Sequence, residues 1–354
     1  MKTTEFEFDI GSSPMPTDPI ELRGKARDQA RMVVLDRDRE TIEHLVFSDI
    51  QSYLRPGDLL VLNDSYMLSN TLVFMHAGEP TQLIVYGHES DGCCMAEVRP
   101  QNIAHVGLQL QSKDKPDLTC TLLESYPDNI WKVRFDPNEL LIPTLEAFGT
   151  RSDETVPLNP DSWQNHREAY RSVYAAKPGS LEIPSAGLHF SQELLDRIVQ
   201  SGVELAYITL HVGATEVLAV RHIETEQVED HKVREEYFEV SEEAATKINT
   251  ALAGGRRIVA VGTTVVRTLE TIARRDRDPV QVEAGAGWTD LYIYPGHDFA
   301  VVGAVLTNLH RSRSSHIVLT AAIAGHDLVM QAYDEILADG GYQFDMFGDS
   351  MLIL

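Results

Sequence analysis

Three short stretches of this chain concentrate side chains that can bind or move charge. Residues 184–191 (PSAGLHFS) set small residues, Gly187 among them, and His189 just ahead of a helix start. In residues 261–270 (VGTTVVRTLE) a strand ends at Gly262, and the hydroxyls of Thr263 and Thr264 follow at a helix start. Arg267 and Glu270 lie one turn further on. A helix N-terminus with free N–H groups is a ready site for an anion such as a carboxylate. Residues 306–310 (LTNLH) place Asn308 and His310 at the C-terminal end of a strand, where open α/β sheets form ligand crevices.

Each stretch also has a purely structural reading. A Gly-Thr-Thr turn commonly joins a strand to a helix. His189, taken singly, reads as a hydrogen-bonded structural histidine. Arg267 and Glu270, at i and i+3, read as a helix-surface pair worth about 0.2–0.5 kcal/mol. Neither GxGxxG nor a P-loop is present, so the glycine-rich routes to nucleotide binding have no support.

The elements that must position these residues follow from periodicity. From residue 181 onward, helix and strand signals alternate. A helix over 193–200 has Ser191 as its N-cap and Gly202 as its stop. A strand over 203–212 follows, and Ser241 opens a helix in which Ala244, Ile248 and Leu252 recur at i, i+4 and i+8. Strands are expected over 257–261, 291–294 and 301–306, and helices over 264–275 and 317–337. This is an α/β layout. Residues 67–150 read differently: short β-rich runs at 81–86, 95–98, 118–123 and 131–135 alternate with turns. They predict a small antiparallel barrel or sandwich inserted into the larger domain. The expected division is a discontinuous α/β domain, 1–66 with 151–354, carrying a β-domain at 67–150.

Composition sets outer bounds. The 354 residues suggest two domains, and 43% hydrophobic with 24% charged residues fits a globular protein. Apolar runs are strand-length, so no membrane span is expected, and the acidic start MKTTEFEFDI shows no secretion signal. Cys93, Cys94 and Cys120 form no CxxC pair, which argues against a disulfide framework or a zinc site and suits the cytoplasm. The formal charge of −24 runs against the basic footprint usual in nucleic-acid binders.

The motifs also occur in a telling order. RPGDLLVLND from Arg55, AGLHF, LHVGA from Leu210, VGTTVVRTLE, TDLYIYPG from Thr289, LTNLH and FGDSML from Phe347 follow one another. The chain closely resembles the S-adenosylmethionine:tRNA ribosyltransferase-isomerase family of queuosine biosynthesis, from about Phe8 to the C-terminus. The resemblance implies an α/β domain carrying an inserted β-barrel. It also implies transfer and isomerisation of the ribosyl part of S-adenosylmethionine onto 7-aminomethyl-7-deazaguanine in the tRNA anticodon loop. Adenine and methionine leave, epoxyqueuosine forms, and no metal is required. The sulfonium acidifies the neighbouring C5′–H, so a positioned base can start the rearrangement. His189, His211, Glu270, His310 and Asp349 lie in matching motifs and are the expected catalytic set. Gly187, Gly262, Thr263, Thr264, Arg267 and Asn308 are expected to hold S-adenosylmethionine.

Departures from the family pattern fall mostly in loops. Two arginines expected after Asn63-Asp64 are absent from Ser65-Tyr66-Met67-Leu68-Ser69-Asn70-Thr71. Arg234 stands where the family has a histidine, and Thr215-Glu216-Val217 departs from the glycine-rich pattern after Ala214. These losses, with the charge, raise an alternative: a divergent member that keeps the donor but uses a small-molecule acceptor. A third reading is a binder of S-adenosylmethionine or RNA that does not turn over.

Overall fold

The computed structural model describes residues 1–11, 13–151, 156–214 and 221–354. Its spine is a nine-stranded mixed sheet whose centre runs parallel: Glu204–Leu210, Leu59–Asn63, Ile258–Val261 and Ala304–Asn308. Three of these central segments, LLVLN, IVAV and AVLTN, are buried at every position, as a sheet covered on both faces demands. Leu59 and Val61 point into one core, and Leu60 and Leu62 into the other. Further strands extend the sheet at both ends, with Glu236–Val240 and then Gly285–Thr289 antiparallel on one side. Ser350–Ile353, Arg31–Asp36 and Thr41–Val46 continue the other side.

Helix starts fall where capping residues stand. Ser191 Oγ accepts from Leu194 N at 3.1 Å and Ser241 Oγ from Ala244 N at 3.1 Å, opening Gln192–Gln200 and Glu242–Ala253.

The inserted unit is a closed six-stranded barrel. Its strands, in order round the wall, are Ile130–Asp136, Cys94–Arg99, Glu79–His88, Thr71–His76, Gln109–Ser112 and Thr119–Ser125. Closure needs Thr71–His76 and Gln109–Ser112, which the periodicity does not mark as strands. Leu72, Phe74, Leu110 and Phe135 fill its core.

Three expected elements differ. Residues 291–294 are not a strand: Thr289 Oγ1 accepts Leu291 N at 3.2 Å, and Arg267 Nε donates to Leu291 O at 2.9 Å. Side chains there take the place of a ladder partner. The helix from Thr263 ends at Thr271, and Ala273–Arg274 turns into a two-stranded hairpin with Gln281–Val282. The long C-terminal helix is two helices, Ser315–Ala324 and His326–Asp339, parted at Gly325. The φ of 88° at Gly325 lies in the region that favours glycine and interrupts the helical turn. No helix among the described residues is long and apolar enough to cross a membrane.

Candidate active site

All four parallel strands end at one cleft. Asn63, His211, Val261 and Asn308, each at or just beyond a strand C-terminus, line it. One lobe, about 280 Å³, lies between the barrel wall at Gly87, His88 and Met95 and the outer strands at Tyr237 and Trp288. The other, about 70 Å³ and more polar, is the deeper in the sense that buried residues line it, Glu182, Gly187, Asn308 and Asp345 among them. Val212, Arg221, Thr263, Thr264 and His316 line both lobes and mark their junction.

The helix Thr263–Thr271 begins at that junction. Its N-cap Gly262 has φ 90°, and no side chain caps the helix. Val265 N and Val266 N both turn back to Gly262 O, at 3.1 and 3.3 Å. The N–H groups of Thr263 and Thr264 have no acceptor among the described residues. Free donors and the positive end of the helix dipole therefore meet the cleft together.

Opposite charges line the deeper lobe. Arg221 donates to Glu182 at 2.8 Å and to Asp345 at 3.2 Å, and Arg311 pairs with Asp345 as well. Glu182 is 1% exposed, so its charge depends on Arg221. Asn308 Nδ2 donates to the carbonyls of Asp345 and Met346 at 3.2 and 3.1 Å, and its side chain also interacts with His189. Gly187 admits Tyr174 over the lobe: a Cβ there would sit 2.2 Å from the tyrosine oxygen.

Besides His88 on the barrel wall, three histidines border the cleft. His310 and His316 stack at 4.9 Å between centroids, and His310 Nε2 lies 2.8 Å from Thr307 Oγ1. His316 has no side-chain hydrogen bond among the described residues. Burial, reinforced by the Arg221 charge, pushes His310 down to about 3 and His316 well below its ordinary value. His211 stacks on Tyr237 at 5.8 Å, packs against Gly179 and leaves Nδ1 without a partner. Burial and the neighbouring His88 and Lys177 push it down to about 4. All three are neutral at pH 7.

The structure brings eight of the eleven expected residues to this cleft: His211, His310, Gly187, Gly262, Thr263, Thr264, Arg267 and Asn308. Arg267, however, is already committed. Its guanidinium pairs with Glu236 and donates to Leu291 O at 2.9 Å and Thr289 O at 3.0 Å. Glu236 in turn accepts from Gly213 N at 3.0 Å, so Arg267 braces the wall that carries His211. Nor does Arg267 pair with Glu270 on a helix surface.

Three residues stand outside the cleft. Glu270, with a fully buried side chain, accepts from Ala300 N, Val301 N and Val302 N at 2.9–3.0 Å and pairs with Arg275. Asp349 accepts from Arg31 N at 2.7 Å and Gln343 N at 2.8 Å, tying the first strand to the last turn. His189 stacks on Phe47 at 5.0 Å and lines a separate small void with Met346 and Phe347. The contacts of Glu270 and Asp349 are those of structural groups, whereas His189 also interacts with Asn308 of the cleft. Thr215, Glu216 and Val217 lie outside the described residues.

Several cleft residues carry no sequence signal of their own. Arg221, Asp345 and His316 are assembled only by the fold. Tyr237 and Trp288 stand in or beside quoted motifs, the one signal that marks them. No cluster of three metal-ligating side chains occurs among the described residues.

The neutral histidines have a consequence for stability. Below about pH 6.5 the unfolded chain protonates its imidazoles, whereas the folded chain holds His88, His189 and His211 neutral down to about 4. The unfolded state then binds more protons, so stability falls as pH drops through that window and is insensitive to these groups above it. Urea midpoints should decline from pH 7 to pH 5; equal midpoints at both would contradict the burial of these rings.

Comparison with known proteins completes the picture. Residues 3–353 match the family model described as queuosine biosynthesis protein. A Thermotoga petrophila protein named S-adenosylmethionine:tRNA ribosyltransferase-isomerase is 38% identical over the whole of both chains. A Clostridioides difficile protein of the same name is 35% identical, again over both full lengths. The crystal structure of the Thermotoga maritima S-adenosylmethionine tRNA ribosyltransferase is 33% identical, with a TM-score of 0.55 over 99% of this chain and all of that one. With a family model spanning nearly every residue, a shared fold and end-to-end relatives, this chain belongs to the queuosine biosynthesis protein family.

Proposed function

We propose that this chain transfers and isomerises the ribosyl part of S-adenosylmethionine onto 7-aminomethyl-7-deazaguanine in tRNA, in the cytoplasm, yielding epoxyqueuosine with release of adenine and methionine. The observation that carries this reading is the two-lobed cleft with an uncapped helix N-terminus and neutral imidazoles at its junction. The Thr263 and Thr264 N–H groups suit the donor's carboxylate, and the acidic residues of the deeper lobe suit its ammonium. Neutral His310, His316 and His211 are in the protonation state that a proton acceptor needs. Arg267 positions the wall rather than the donor. The relatives are named for tRNA, which does not favour the small-molecule alternative.

Mass spectrometry tests this directly. Protein and S-adenosylmethionine would be incubated with and without an anticodon stem-loop bearing 7-aminomethyl-7-deazaguanine. Adenine and methionine release that requires the stem-loop, with the RNA gaining the epoxycyclopentanediol mass, is the expected result. Release without RNA would return the small-molecule acceptor. Donor binding with no release under either condition would favour the silent binder.

A further inference from the structure

The outer lobe is walled by an aromatic pair whose purpose the fold alone does not explain. Tyr237 and Trp288 face each other across neighbouring strands in register, with ring centroids 5.6 Å apart and planes at 68°. Both rings line the cavity and both are only half-buried, so part of each is open to it. Neither the Tyr237 hydroxyl nor the Trp288 Nε1 makes a hydrogen bond among the described residues. Across the lobe stands the barrel, with Gly87, His88 and Met95. The outer lobe is thus a slot between two walls, one of them aromatic, with two unused polar tips.

We propose that Tyr237 and Trp288 are the stacking ledge for the acceptor nucleobase of the tRNA, an assignment that rests on the tRNA reading above. Depth decides which base stacks here. Trp288 lies on the outermost strand of the sheet, whereas the uncapped helix and the charged groups suited to an amino acid lie at the junction and beyond. A free donor can pass inward, but a base attached to a polymer reaches only as far as its backbone allows. An anticodon-loop base is already unpaired, so swinging it into a slot costs little. Aromatic faces are the usual platform for such a base, and the free indole N–H and phenol can meet its polar edge.

The rim fits the acceptor's charge. Glu235 accepts from Ser90 N at 2.6 Å, and Glu89 pairs with Arg234 at 3.2 Å and Lys132 at 3.1 Å. The bonds of Glu235 and Arg234 tie barrel to sheet across the slot, and the carboxylates stand beside it, where an aminomethyl cation would enter.

Steady-state kinetics with the modified stem-loop tests the ledge, using Trp288→Ala, Trp288→Phe and Tyr237→Leu alongside the unaltered protein. Loss of one stacking face should raise the KM for the stem-loop roughly 10- to 100-fold in Trp288→Ala, and Trp288→Phe should recover most of it. Calorimetric affinity for S-adenosylmethionine should stay unchanged, which also shows that the variants are folded. An unchanged stem-loop KM in both Trp288→Ala and Tyr237→Leu overturns the proposal. So does weakened donor binding with an unchanged stem-loop KM, since the ledge would then hold the donor's adenine. If the unaltered protein makes no product from the stem-loop, the tRNA reading fails and the ledge loses its occupant with it.

Discussion

Replacing Glu270 with alanine should unfold this protein long before it slows any reaction. The carboxylate is fully buried and takes three backbone N–H groups from residues 300–302, besides Arg275. Removing it strands three backbone donors, two of them buried, and leaves the guanidinium with the exposed Asp298. Breaking a buried charged arrangement from one side costs about 3–5 kcal/mol, and stranded donors add to that rather than offset it. For a chain of this size the melting temperature should fall on the order of 10 °C. Glu270→Gln should fall in between, because the amide keeps one acceptor oxygen and turns an NH2 toward donors. Below the melting transition, the folded fraction of either variant should bind S-adenosylmethionine as the parent does. A Glu270→Ala protein that melts normally yet has lost turnover would return this residue to the chemistry.

Glu270 also shows what sequence can and cannot reveal. Its motif marked it as important, and a helix position one turn after Arg267 suggested partners on the same helix. Apart from Arg275, its partners come from a segment 30 residues on, and nothing local announces them. Asp349 repeats the case, bound to an amide more than 300 residues away. Three of the four parallel strands and the capped helices were legible because burial pattern and Ser N-caps are local signals; Leu59–Asn63 stands in a quoted motif but was not legible as a strand. Barrel closure was legible only in part: Gln109–Ser112 alternates exposed and buried positions over just four residues, too short to stand out. The strand-end residues of the cleft could be read because α/β sheets put ligands there. Its lateral walls could not. Trp288 and His316 reach the cleft through the sheet edge and the start of the helix Ser315–Ala324, and Arg221 through two long-range ion pairs. The charge of −24 is a sum over the whole surface and says little about one slot lined by aromatic rings.

The second large effect belongs to the stacked pair at the junction of the lobes. His316→Phe keeps an aromatic ring against His310 but removes both nitrogens, so stacking is retained and proton transfer is not. If that imidazole accepts the proton that starts the rearrangement, kcat should fall about 10²–10⁴-fold with donor affinity unchanged. His310→Phe separates the roles. His310 Nε2 is engaged with Thr307, so its loss should act mainly by letting His316 move, giving a smaller drop. A larger drop from His310→Phe would make His310 the acceptor. The pH profile gives an independent reading. A base must be neutral to act, and burial with Arg221 nearby lowers the proton affinity of both rings. The acid limb that this pair contributes therefore lies well below 6.5, and kcat should be flat on that side from pH 8 down to about 5. An acid limb at the ordinary histidine value would mean that the reacting imidazole is solvated, and neither member of this pair is. His211, pushed down to about 4, would be excluded by the same result.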